Sequence, residues 1–114
     1  IDGASLSSNL ITLPAGSYWF DISAPCYRGN THRIRLYNAT SSTVVAYGTA
    51  EFASTDSNAP QQTRSLLSVP VTLSAPSVLR LEHRVANVTS AQFGVAASDG
   101  GVEVFSTVSV RKVS

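Results

Sequence analysis

Apolar residues recur at every second position along almost the whole chain, and that period limits the fold more than any other feature. A period of two is the pleat of a β-strand with one face buried. A helix would repeat near 3.6. In Ser17-Tyr18-Trp19-Phe20-Asp21-Ile22-Ser23, the residues Tyr18, Phe20 and Ile22 form one apolar face. Ile34 and Leu36 face one way, and Arg33, Arg35 and Tyr37 the other. Leu67, Val69, Val71 and Leu73 alternate with Ser68, Pro70 and Thr72. Leu79, Leu81, His83 and Val85 alternate with Arg80, Glu82 and Arg84. Val102, Val104, Val108 and Val110 share a last register. These are half-buried antiparallel strands.

Turn chemistry separates them. Pro14-Ala15-Gly16 opens the Tyr18 strand, Arg28-Gly29-Asn30-Thr31 precedes the Arg33 strand, and Asn38 to Ser42 is a polar turn. Asp99-Gly100-Gly101 predicts a hairpin before the last strand. The longest polar loop is Ser54 to Gln62. Pro70 has no N–H to give a ladder, so it implies an edge strand or a bulge. The pattern predicts an all-β antiparallel β-sandwich or jelly roll of about eight strands, with no helix and no internal repeat. Residues 10–114 form one domain, and the Ser-rich opening 1–9 reads as a linker from a preceding region. The chain contains no methionine, and it is expected to be the terminal piece of something longer.

Charge is sparse. Only 13% of the 114 residues are charged, and the net charge is +1. A typical domain carries about 25%. Nucleic-acid binders show a strong basic excess, so no nucleic-acid partner is expected. No apolar run approaches the ~18 residues of a membrane helix, so no membrane insertion is expected, and no signal-peptide pattern is visible. Seven of the eight basic residues are arginine, which suits bidentate pairing with carboxylates at interfaces.

The cations gather in Tyr27-Arg28-Gly29-Asn30-Thr31-His32-Arg33-Ile34-Arg35-Leu36-Tyr37-Asn38, which holds three of seven arginines and two of four tyrosines. Arg33, Arg35 and Tyr37 on one strand and Arg80, Glu82 and Arg84 on another make two charged stripes opposite core faces. Either they are solvated, or they meet Glu51, Glu82 and Glu103 of a neighbouring copy. Trp19 opposes the Tyr18 face and reads as an interface anchor, or as a sugar-stacking platform. Tyr27, Arg28, Asn30 and His32 near the first loop, and Asp56 and Asn58 in the second, are the candidate receptor contacts. His32 opens a strand beside a turn, where a turn or capping role competes with a ligand role. His83 reads as a core or interface histidine.

No catalytic or metal site is expected, and no cofactor. There is no G-x-S-x-G elbow, and no cluster of His, Cys or carboxylate at ligand spacing. Cys26, the one cysteine, reads as a small buried residue. The sequons Asn38-Ala39-Thr40 and Asn87-Val88-Thr89 fall at predicted turns in a chain rich in Ser and Thr.

The order of short motifs adds to this reading. Leu13-Pro14-Ala15-Gly16-Ser17-Tyr18 leads to Ser23-Ala24-Pro25-Cys26-Tyr27-Arg28, then to His32-Arg33-Ile34-Arg35-Leu36-Tyr37-Asn38. Gly48-Thr49-Ala50-Glu51, Gln62-Thr63-Arg64-Ser65, Leu81-Glu82-His83-Arg84 and Gly101-Val102-Glu103-Val104-Phe105 follow. Over residues 10–113 the series resembles the C-terminal head domain of bacteriophage tail fibres and related tail proteins. That family is similar to the tumour-necrosis-factor and complement C1q jelly rolls, which assemble as trimers. Two positions depart from the pattern: Cys26 stands where a small apolar residue is expected, and Asn30-Thr31 makes its turn less basic.

The resemblance implies a homotrimer on the virion tail, outside the cell, that registers three chains and binds a host surface receptor such as a glycan or lipopolysaccharide. A secreted C1q-like protein-binding domain and a purely structural trimerisation cap are the alternatives. Each is a binding or structural role, and an enzyme is not expected.

Overall fold

The computed structural model describes residues 3–7, 10–87, 93–94 and 106–114. The predicted hairpin at Asp99-Gly100-Gly101, the apolar positions Val102 and Val104, and Glu103 lie outside the described residues. Among the described residues the chain is all-β, with nine strands. These are β1 (Ser5–Ser7), β2 (Leu10–Leu13), β3 (Gly16–Tyr27), β4 (Asn30–Asn38), β5 (Thr43–Tyr47), β6 (Glu51–Ala53), β7 (Gln62–Leu73), β8 (Ser77–Val85) and β9 (Thr107–Lys112).

The strands form two antiparallel sheets. One has the order β1-β2-β8-β4-β5, with β6 also pairing β4, and the other the order β7-β3-β9. The chain changes sheet between β2 and β3, β3 and β4, β6 and β7, β7 and β8, and β8 and β9. This repeated crossing wraps the chain around one core as a jelly-roll-like β-sandwich. The opening segment, read from the sequence as a linker, contributes β1, which pairs with β2 from Ser5↔Thr12 to Ser7↔Leu10.

The period-two faces appear as the alternation requires on β3, β4, β7 and β8, whereas Val108 on β9, expected to share an apolar face, is exposed. Tyr18, Phe20 and Ile22 of β3, Ile34 and Leu36 of β4, Leu67, Val71 and Leu73 of β7 and Leu79 of β8 are all buried in one core. Each such side chain contributes roughly 1.5–3 kcal/mol relative to leaving it in water. Tyr18 keeps its hydroxyl satisfied by donating to the Pro14 carbonyl at 2.7 Å. Pro70 lies on β7, an edge of the three-stranded sheet, opposite Trp19. An edge strand has ladder positions that face no partner, and a residue without an N–H is tolerated there.

Candidate functional site

The outer face of the six-stranded sheet gathers the two charged stripes. β4 and β8 pair so that Arg33 lies opposite Arg84, Arg35 opposite Glu82, and Tyr37 opposite Arg80. β5 adds Tyr47 opposite Arg35. Glu82 is the clamp of this belt. Its Oε1 accepts from Arg35 Nε at 2.6 Å and its Oε2 from Arg80 Nε at 2.7 Å. The Arg35 hydrogen bond, foremost, holds the Glu82 carboxyl below the usual carboxylate range. Both Glu82 oxygens are engaged within its own chain.

The rings complete the belt. The Arg33 guanidinium lies 4.0 Å from the Tyr47 ring centre. Tyr37 lies between two guanidinium groups, with Arg35 at 5.2 Å and Arg80 at 4.7 Å. Cations over aromatic faces hold their orientation while staying charged. A groove of about 510 Å³ runs along the belt, bordered by Arg33, Arg35, Tyr47, Glu82 and Arg84. A second, of about 450 Å³, shares Arg33 and Arg84 with it.

Trp19 is not part of this belt. It projects from the outer face of the other sheet, registered between Pro70 and Arg111. Asp21 shares that face, its Oδ1 accepting from Ser68 Oγ at 2.7 Å. The candidate interface residues therefore split into two patches on opposite sheets.

The two candidate receptor loops meet at one end of the sandwich. The Arg28 N–H donates to the Gln61 carbonyl at 3.0 Å. Arg28 Nη2 donates to the Thr55 carbonyl at 2.9 Å. Arg28 is half-buried and braces the second loop, in a left-handed backbone conformation with φ of 55°. Asn30, also half-buried, has φ of 61°, a conformation asparagine tolerates better than most. Tyr27 is half-buried. Asp56 and Asn58 are exposed, and Asp56 Oδ1 accepts from the Asn58 N–H at 2.9 Å to shape the turn.

His32 is the clear correction among the candidate receptor contacts: it is 4% exposed and lies within β4. It shares the inward face of Ile34 and Leu36, and the strand pleat overrides the neighbouring turn. There it meets two residues that sequence reasoning left apart. His32 Nδ1 and His83 Nε2 are hydrogen-bonded at 2.9 Å, one of the two carrying the shared proton. His32 Nε2 is hydrogen-bonded to Thr63 Oγ1 at 2.8 Å. Cys26 is fully buried beside them, and the Cys26, His32 and His83 donor atoms all lie within 4.8 Å of one another.

Electrostatics keep this cluster uncharged. Burial pushes His83 down to about 4, with His32 adding to the effect. Burial also lowers His32, opposed by the Glu51 charge. Burial raises the Cys26 thiol, opposed by a hydrogen bond from the Gly29 backbone. The inward register of both histidines was legible, because His32 keeps step with Ile34 and His83 with Leu81. Their contact was not, because it depends on the register that sets His32 opposite Val85 and Ile34 opposite His83. That register makes the two histidines diagonal neighbours on one sheet face.

No family model matches the chain, and no curated protein matches it.

Proposed function

We propose that this domain is a binding and assembly module, the trimeric C-terminal tip of a phage tail fibre or similar adhesin. It registers three chains and contacts the host surface, with a glycan or lipopolysaccharide as the receptor class. The observation that carries this reading is the Arg33–Arg84 pair. Two exposed guanidinium groups stand directly opposite each other, and no carboxylate pairs with either among the described residues. Like charges directly opposite on a sheet are destabilising in an isolated chain. A face held in that state gains when it meets anions, and arginine pairs with carboxylates bidentately.

A three-fold ring has head-to-tail contacts, so each copy needs two different patches. The arginine–tyrosine belt is one. Trp19 with Asp21 on the other sheet is the second, and it brings an aromatic anchor and a carboxylate. The ordered motifs that resemble tail-fibre heads support the same assembly.

Light scattering coupled to size exclusion tests the assembly. The expected mass is three times that of the chain at micromolar concentration, and a monomer overturns the reading. Arg84→Ala and Trp19→Ala should each shift the equilibrium toward monomer. Stranding one charge of a desolvated pair costs roughly 3–5 kcal/mol, so the arginine variant should show the larger effect. A trimer with unchanged melting in both variants would mean that the belt is solvated and the contact lies elsewhere.

A further inference from the structure

Cys26, His32 and His83 come from three strands and both sheets, yet their donor atoms converge at the end where β3 turns into β4. We propose that Cys26, His32 and His83 are three ligands of a zinc site that ties the two sheets together. One thiolate and two imidazoles form the nitrogen–sulfur donor set that suits this borderline-soft ion. The binding step releases one proton to solvent, from the Cys26 thiol as the Zn–S bond forms. The proton shared between His32 Nδ1 and His83 Nε2 moves to the far nitrogen of the ring that carries it, so both neutral imidazoles bind through the facing lone pairs.

The geometry is close to what zinc needs. Tetrahedral zinc with Zn–N near 2.0–2.1 Å and Zn–S near 2.3 Å sets its nitrogens about 3.3 Å apart, and nitrogen and sulfur about 3.6 Å apart. The two imidazole nitrogens stand at 2.9 Å, bridged by a proton where the ion would sit. They need to part by about 0.4 Å. The three donors lie within 4.8 Å of one another, so the sulfur closes by up to about 1.2 Å. Such shifts are within side-chain rotation.

The surroundings hold the donors as metal ligands are commonly held. The far nitrogen of His32 is fixed by Thr63 Oγ1. The Gly29 backbone hydrogen-bonds the thiol. His83 packs against Phe93, with ring centres 5.3 Å apart. Outer partners of this kind orient the ligands and raise affinity by about 10–100-fold. Gly29 also fixes the space: a Cβ there would lie 2.2 Å from Cys26 Sγ and 2.5 Å from Val85 Cγ1. A water or hydroxide would complete four-coordination.

The test uses the 114-residue chain, stripped with a chelator under reducing conditions and then given Zn²⁺, Co²⁺ or Cu⁺. The expected result is one zinc per chain retained through gel filtration, with a melting temperature that rises with zinc and falls back with chelator. Co²⁺ should give a thiolate-to-cobalt charge-transfer band and the intense visible bands of a four-coordinate ion. Cys26→Ser should abolish the charge-transfer band. His83→Gln should weaken cobalt binding at least about tenfold. Lys112→Ala, exposed on β9 and registered opposite Tyr18 at the other end of β3 from Cys26, should leave binding unchanged. Failure to retain zinc, a cobalt spectrum without the thiolate band, or a band that survives Cys26→Ser each overturns the site. Retention of copper alone overturns the assignment to zinc. Should Cys26→Ser not fold, the cobalt spectrum of the native chain decides by itself.

Discussion

Among the described residues, His83 is the one whose protonation folding changes most. In the folded chain burial holds it near 4, against an ordinary 6.5. Between those values the unfolded chain binds a proton that the folded chain refuses, so stability rises with pH across this window. The contribution is complete above 6.5 and is lost as pH falls toward 4. Cys26, His32 and Phe93 are its neighbours, and the Glu51 charge acts on His32. In metal-free protein kept in chelator, the melting temperature should fall as pH drops through this window. His83→Gln should flatten the slope. Parallel slopes for the two proteins would contradict the assignment. At this scale the sequence was legible in part. The pleat put His32 and His83 on inward faces, while the turn beside His32 pointed the opposite way and lost.

Between elements, the informative place is the edge of β4. β6 pairs with residues Asn30 to His32 and β5 with residues Arg35 to Asn38, which leaves Ile34 facing a gap between two strands. Residues from elsewhere fill it. The Ile34 N–H donates to Ser65 Oγ at 3.1 Å, and the Gly48 N–H donates to the Ile34 carbonyl at 2.8 Å. Ser65 is fully buried, sits on β7 of the other sheet, and donates its own hydroxyl to the Thr49 carbonyl at 2.6 Å. Gly48 is required by space, since a Cβ would lie 2.5 Å from Ile34 Cγ1. Ser65→Ala therefore strands a buried N–H and removes a link between sheets. It should cost about 1–3 kcal/mol in urea unfolding. A loss below about 0.5 kcal/mol, the range of ordinary surface changes, would show that the gap closes without it. Ser65 keeps step with Leu67, which put it on the inward face, but nothing local gave its role, because that exists only once β7 lies across β4.

Across the whole molecule, the arginine–tyrosine belt occupies one outer face, the Trp19 patch the other, and the two polar loops one end. That end offers Asp56 and Asn58 to solvent, while Arg28 is spent on bracing the loop. A receptor contact built there should depend on Asp56 and Asn58. Asp56→Ala combined with Asn58→Ala should reduce binding to a glycan and lipopolysaccharide panel by tenfold or more, about 1.4 kcal/mol per site, while mass and melting stay unchanged. In the trimer we propose, three copies would multiply a weak single-site contact, so the loss should be larger in the assembled form than in isolated copies. Unchanged binding in the double variant would move the receptor contact away from this end.

The sequence by itself missed β1 but determined the buried faces of β3, β4, β7 and β8, the turn before β4 and, for Pro70, a place on an edge strand or at a bulge. Each of these is set by near neighbours along the chain, through the pleat of the backbone and the missing N–H of proline. Only the tertiary structure decided which strands lie side by side and in which register. Closing a long loop costs little more than closing a short one, so local sequence carries almost no record of a partner tens of residues away. His32 and His83 are 51 positions apart, and Ile34 and Ser65 are 31 apart. The opposition of Arg33 to Arg84, the Ser65 link and the Cys26–His32–His83 cluster all arise from such pairings, set by how two sheets pack around one core.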